Sequence, residues 1–288
     1  MGRRNTEYRH IANASTLLVI IMTDTEALIT AATRYLKGNF SYWANKYSKE
    51  RTGDGFPYAY TDKDYNLFSR YNVLSAILDR VETLVGQNHI DFETCKQELK
   101  AAGMTANSPF TTGEQNDISI NAMQEERKKF TDFVENVTAN DLQAIEPLPH
   151  RRRLTKEESE QVRQALFERW NFQGNYWEPL EEISPKPTIF LMKDNIADND
   201  YEQIIAEIQK HADNRLFEIT EDASDAEIEF SLFHPDCYET IYCDKSFEWI
   251  IYGSHEGTVA FGGTWLLDFI RKLYTDRQER LNKWEQNG

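Results

Sequence analysis

The chain has 288 residues, 40% of them apolar and 12% aromatic, and a formal charge of -16 at pH 7. That is ample material for packed interiors, which excludes a disordered chain, and the length favours two cores over one. Three cysteines, Cys95, Cys237 and Cys243, are too few and odd in number for a disulfide scaffold and suit a reducing, cytoplasmic setting.

The apolar run Thr16 to Met22 follows Arg3 and Arg4 as a secretory signal would, but Asp24 and Glu26 close it and no small-residue cleavage site follows. It is also well short of the ~20 apolar residues of a membrane crossing, and no other stretch is a candidate span. Leu17, Ile21, Leu28, Ile29, Ala32 and Leu36 recur at helical spacing, so residues 14–36 are predicted to hold one or two helices. A polar, aromatic connection is expected over 39–64, with Gly53, Gly55 and Pro57 marking a loop; its Tyr42, Trp43, Phe56, Tyr58 and Tyr60 suit packing across a bundle, or a recognition surface. Phe68, Tyr71, Leu74, Leu78, Val81 and Val85 define a strong helix that Gly86 ends. Asp91 caps a short helix that Gly103 is expected to stop, and Ile120, Met123, Phe130, Phe133 and Val137 mark a third long one. Residues 1–145 therefore read as a helical domain.

At EPLPHRRRL the pattern breaks, because Pro147 and Pro149 forbid a continuous helix. Residues 146–184 are expected to be a linker with one helix, which Thr155 and Glu158 open as a capping box and Val162, Leu166 and Trp170 continue; Arg151, Arg152 and Arg153 beside it read as a solvated face. Residues 185–288 read as an acidic α+β domain with a mostly antiparallel sheet packed by helices. Thr188 to Met192 is apolar enough for a buried strand, Asp200 with Gln203 is placed to cap a helix through Ile204 and Ile208, and Leu216 to Ile219 begins another strand. Ile228, Phe230 and Leu232 alternate with Glu227, Glu229 and Ser231 as in a sheet with one wet face. Phe247 to Gly263 reads as a hairpin whose turn is Ser254 to Gly257, followed by a helix that Thr264 caps and Leu266, Phe269, Ile270 and Leu273 line. On that register Trp249 and Ile251 face one side of the sheet, and Ile250 and Tyr252 the other.

Four features invite a chemical reading. His234, Cys237, Cys243 and His255 are ligand types, but they lack the close pairs of a zinc site, and no metal or other cofactor is expected. Asp194 to Asp200 lacks the spacing of a calcium loop, and Gly262 and Gly263 lack that of a phosphate cradle, so loop and turn chemistry is the simpler reading of both. His255 beside Glu256 in the hairpin turn is a possible acid–base pair, with Asp236 or Glu239 assisting, and carries the alternative reading of a hydrolase.

Charge carries a further reading beyond these four. Between Asp194 and Glu256 the chain carries 17 acidic residues against 3 basic, so nearly all the net charge lies there. Such a field repels nucleic acid and favours a basic protein partner, with Asp194, Asp198, Glu221, Asp222, Asp225, Glu227, Glu229, Asp236, Glu239 and Asp244 as the expected binding residues.

The order of WIIYGSHEG, TVAFGG and a following helix, with YWEPL upstream, resembles segments of bacterial immunity-type proteins of polymorphic toxin systems. The similarity spans residues 175–274. It implies a cytoplasmic, acidic, non-catalytic protein that neutralises a toxin domain by binding it, and it assigns no role to any single residue.

Overall fold

The structure is a computed structural model that describes residues 22–51, 59–87, 91–113, 116–173, 177, 187–221 and 224–283. Its first helix, α1 (Asp24–Glu50), begins where the apolar run was expected to close: Glu26 N–H donates to Thr23 Oγ1 at 3.2 Å and Thr23 N–H donates to Glu26 Oε2 at 2.8 Å. The two acidic residues thus open a helix, as carboxylates at a positive helix end should. The expected connection also begins inside this helix. Phe40, Trp43 and Tyr47 recur three and four residues apart, and the rings of Phe40 and Tyr47 meet Tyr71 while Tyr47 also meets Phe68. The loop glycines Gly53 and Gly55, with Phe56, Pro57 and Tyr58, lie outside the described residues.

Those ring contacts seat α1 on α2 (Asp62–Glu82), which Thr61 and Asp64 cap. Helix α3 (Phe92–Thr105), the single turn α4 (Pro109–Thr112), α5 (Asp117–Asn136) and the single turn α6 (Ala139–Leu142) complete the helical region. Leu28, Leu36, Leu74, Ile77, Leu99 and Phe130 fill its core. Gly103 does not stop α3. Its missing side chain lets α5 close in, since a Cβ there would stand 2.8 Å from Phe130 and from Thr131.

The second half is a seven-stranded antiparallel sheet ordered β1-β4-β3-β5-β6-β7-β2, so the protein is α+β. Its strands are β1 (Arg151–Arg153), β2 (Thr188–Met192), β3 (Arg215–Thr220), β4 (Ala226–Glu229), β5 (Thr240–Cys243), β6 (Ile250–Gly253) and β7 (Thr258–Gly262). Helices α8 (Asp198–His211) and α9 (Thr264–Leu273) contribute to a core shared with Trp249 and Ile251; α7 (Lys156–Trp170) contributes to the one holding Ile250 and Tyr252. The alternation expected along β6 is therefore present.

Four details differ from the sequence expectation. Arg151, Arg152 and Arg153 are not a solvated face but the edge strand β1, paired with β4 and tied to carboxylates. The strand expected through Phe233 ends at Glu229, because Phe230–Leu232 coils into a 3-10 turn. Strand β5 was not anticipated; its four residues are all buried, so they show no alternation to read. Asp200 is not the residue before α8 but sits in its first turn, where Arg277 holds its carboxyl below the usual carboxylate range and Tyr274 Oη donates to it at 3.0 Å.

Edge strand β2 is covered from the far end of the chain. Asn282 N–H donates to the Phe190 carbonyl at 3.0 Å, and Phe190 N–H donates to Asn282 Oδ1 at 2.9 Å. Asn282 holds a left-handed backbone, φ 56°, which asparagine tolerates better than most residues. Asn282→Ala removes one edge bond and suits that backbone less well; we expect urea unfolding to report a loss of about 1 kcal/mol.

Candidate functional site

At one end of the sheet the chain turns from β3 to β4, enters β5, and turns from β6 to β7. Register places these together, since Thr220 pairs with Thr240 and Thr240 with Gly253, and Glu221 N–H donates to the Glu239 carbonyl at 3.1 Å. Glu239 enters β5 with a left-handed backbone, φ 48°. Ser254 N–H closes the β6–β7 turn on the Thr258 carbonyl.

The side chains of these turns converge on one imidazole. His255 Nδ1 lies 3.1 Å from Glu239 Oε1, and its Nε2 lies 3.1 Å from Glu256 Oε1. A carboxylate oxygen of Glu221, one of Glu239 and a His255 nitrogen all fall within 4.8 Å of one another. Tyr252, a buried residue of β6, donates its hydroxyl to Glu221 Oε1 at 2.5 Å; burial, and that carboxylate beside it, push the phenol pKa upward. His255 and Glu256 are exposed, and Glu221 and Glu239 are half-buried.

Glu221, a binding candidate by charge alone, therefore meets Glu239 at the acid–base pair of His255 and Glu256. Of the possible helpers, Glu239 touches His255, whereas Asp236 pairs with Lys193 at 3.1 Å. Asp194, before α8, and Asp198, its first residue, are exposed; they follow Lys193, whose N–H donates to the Gly257 carbonyl at the same end. Tyr252 is the participant that sequence reasoning missed. Sequence alternation places it only on the side of the sheet opposite Trp249 and Ile251, and the register reveals that its hydroxyl reaches Glu221.

The remaining acidic candidates are committed within the fold. Asp225 is buried against the Arg163 guanidinium, accepting at 2.8 Å on both oxygens. Asp244 is buried and accepts from Trp249 Nε1 at 2.9 Å and from Ser246 N–H at 2.9 Å. Glu227 meets His150 at 3.0 Å and Arg152 at 3.5 Å. Glu229 accepts from Ser231 Oγ at 2.7 Å, a bond that lowers its carboxyl below the usual range. Asp222 lies outside the described residues.

The four metal-ligand types named from sequence do not gather. Cys243 is buried between β3 and β6, and burial drives its thiol far up the pH scale; the Cys237 thiol is pushed up to about 12 by the same cause. Among the described residues, the group within reach of a single ion is Glu221, Glu239 and His255. Gly262 and Gly263 hold no phosphate loop. A Cβ on Gly262 would stand 2.5 Å from the Trp170 ring, and Gly263 turns the chain into α9 at φ 115°.

Comparison of the chain with protein-family models, with curated proteins and with solved structures gives no match. Among the described residues, no helix is long and apolar enough to cross a membrane.

Proposed function

We propose that the chain is a cytoplasmic protein-binding protein of the bacterial immunity type, which neutralises a basic effector such as a nuclease toxin by docking it on the acidic end of the sheet. The observation that carries this reading is charge left over. Among the described residues, Asp194, Asp198, Glu221, Glu239 and Glu256 meet no lysine or arginine, whereas Asp225, Asp236 and Glu227 each have a basic partner. Unneutralised carboxylates gathered at one end attract a cationic surface and speed its encounter.

The alternative reading, a hydrolase using His255 and Glu256, receives less support from the same geometry. A histidine that activates a nucleophile holds a hydroxyl or thiol within hydrogen-bond reach. Both nitrogens of His255 face carboxylates instead, the Tyr252 hydroxyl is given to Glu221, and Cys237 keeps its proton at neutral pH.

The test is capture of the partner from the source cells at low salt, followed by its binding kinetics against ionic strength. Exposed charges are screened beyond ~8 Å at physiological ionic strength, so association should slow steeply with added salt. Asp194→Asn combined with Asp198→Asn should slow it by ~10-fold at low salt and leave dissociation nearly unchanged. A partner without basic excess, or a rate indifferent to both salt and the double substitution, would overturn the proposal.

A further inference from the structure

Both ring nitrogens of His255 lie 3.1 Å from a carboxylate oxygen, Nδ1 from Glu239 and Nε2 from Glu256. An imidazole that gives Nε2–H to Glu256 turns the lone pair of Nδ1 toward Glu239, so a nitrogen and an oxygen donor face one point.

The surroundings favour a metal ion. Glu221 brings a third donor to the same spot, from a different turn of the chain. A histidine ligand ordinarily gives its other N–H to a carboxylate, which fixes its tautomer, and Glu256 is in that position. A ligating carboxylate is itself ordinarily held by a hydrogen bond; Glu221 is held by the hydroxyl of Tyr252, a residue only 4% exposed.

We propose that Glu221, Glu239 and His255 Nδ1 form a site for one divalent transition-metal ion of the zinc type, with Glu256 and Tyr252 as positioning residues. One imidazole nitrogen with carboxylate oxygens suits such an ion better than calcium or magnesium, which take oxygen ligands. Three protein ligands leave a position for water or for a donor from another molecule. Zinc bonds of ~2.1 Å set tetrahedral donors ~3.4 Å apart, so the present spread requires the glutamates to draw in by about an ångström. Two carboxylates against one divalent ion leave Glu256, Asp194 and Asp198 uncompensated, so the site goes beyond the partner-binding reading without replacing it.

The experiment is calorimetric titration of Zn2+ into the untagged, chelator-treated full chain at pH 7.5, in two buffers of different ionisation enthalpy. One equivalent should bind with proton release, since ligands lose protons to the metal. Glu239→Gln and His255→Ala should each weaken binding by more than ~10-fold, and Glu256→Gln by ~10-fold, as loss of an outer carboxylate does. Asp194→Asn with Asp198→Asn should leave the affinity unchanged, and millimolar Mg2+ should not displace the zinc. Unsaturable binding, or one equivalent that survives both Glu239→Gln and His255→Ala, would overturn the site. Titration of the free chain involves no protein partner, so this result stands or falls separately from the salt dependence above.

Discussion

Trp170→Ala should lower the unfolding free energy by about 3 to 5 kcal/mol, the range for truncating a fully buried aromatic residue. Trp170 closes α7 and is wholly buried on the sheet face that Ile250 and Tyr252 share. Its indole occupies the space that Gly262 leaves by having no side chain, and it meets Trp177 edge-on at 6.1 Å. The Trp170 indole N–H donates to the Phe247 carbonyl at 3.0 Å, so truncation also leaves a backbone acceptor without that donor. Gly262→Ala tests the same contact from the other side: its methyl would meet the ring at 2.5 Å, so it should destabilise by about 1 to 3 kcal/mol although it adds apolar volume. Chemical denaturation of both variants checks the pair. A loss below 1 kcal/mol in Trp170→Ala would mean that α7 rests on the sheet without closing its core.

The helical periodicity of α7 and its capping box were legible in the sequence, but its place on the sheet was not. An amphipathic stripe says that a helix has a partner and leaves the partner unnamed. The same limit explains β1. Three consecutive arginines have no apolar alternation, and their place in a sheet depends on carboxylates far along the chain, Glu218 and Glu227 among them. Strands β6 and β7 were legible because a turn joins two runs rich in β-branched and aromatic residues. In the site, composition exposed the acidic excess but could not say which carboxylates are spent internally. Asp225 and Glu239 look alike in sequence; one is buried against Arg163 and the other faces an exposed histidine. That distinction comes from strand register, which a long-range pairing decides.

Glu82→Gln should destabilise the chain by about 3 kcal/mol and loosen the junction between helical region and sheet. Glu82 closes α2 with its side chain only 3% exposed, while Lys37 approaches it at 3.2 Å, Arg151 at 3.4 Å and Arg153 at 3.7 Å. Arg151 reaches on to Glu218 of β3 at 2.8 Å, and Arg153 to Asp79 of α2 at 2.5 Å and to the Ser224 carbonyl. The carboxylate is thus the common anion of three cations, two of them from the sheet's edge strand. Glutamine keeps the shape and removes the charge, so the three cations lose a shared counterion in a place where water cannot fully replace it. Breaking a buried ion pair from one side costs about 3 to 5 kcal/mol, and the lower end applies because both arginines keep a second carboxylate. Glu160→Gln provides the contrast: Glu160 meets Lys156 at 3.8 Å with both side chains well exposed, and its loss should cost less than about 0.5 kcal/mol. Calorimetry of the two variants separates the cases. Glu82→Gln should broaden or split the transition as the helical region and the sheet come to unfold separately, with Glu160→Gln tracing the parent curve; matching curves would mean that the arginine strand joins the two regions without stabilising them.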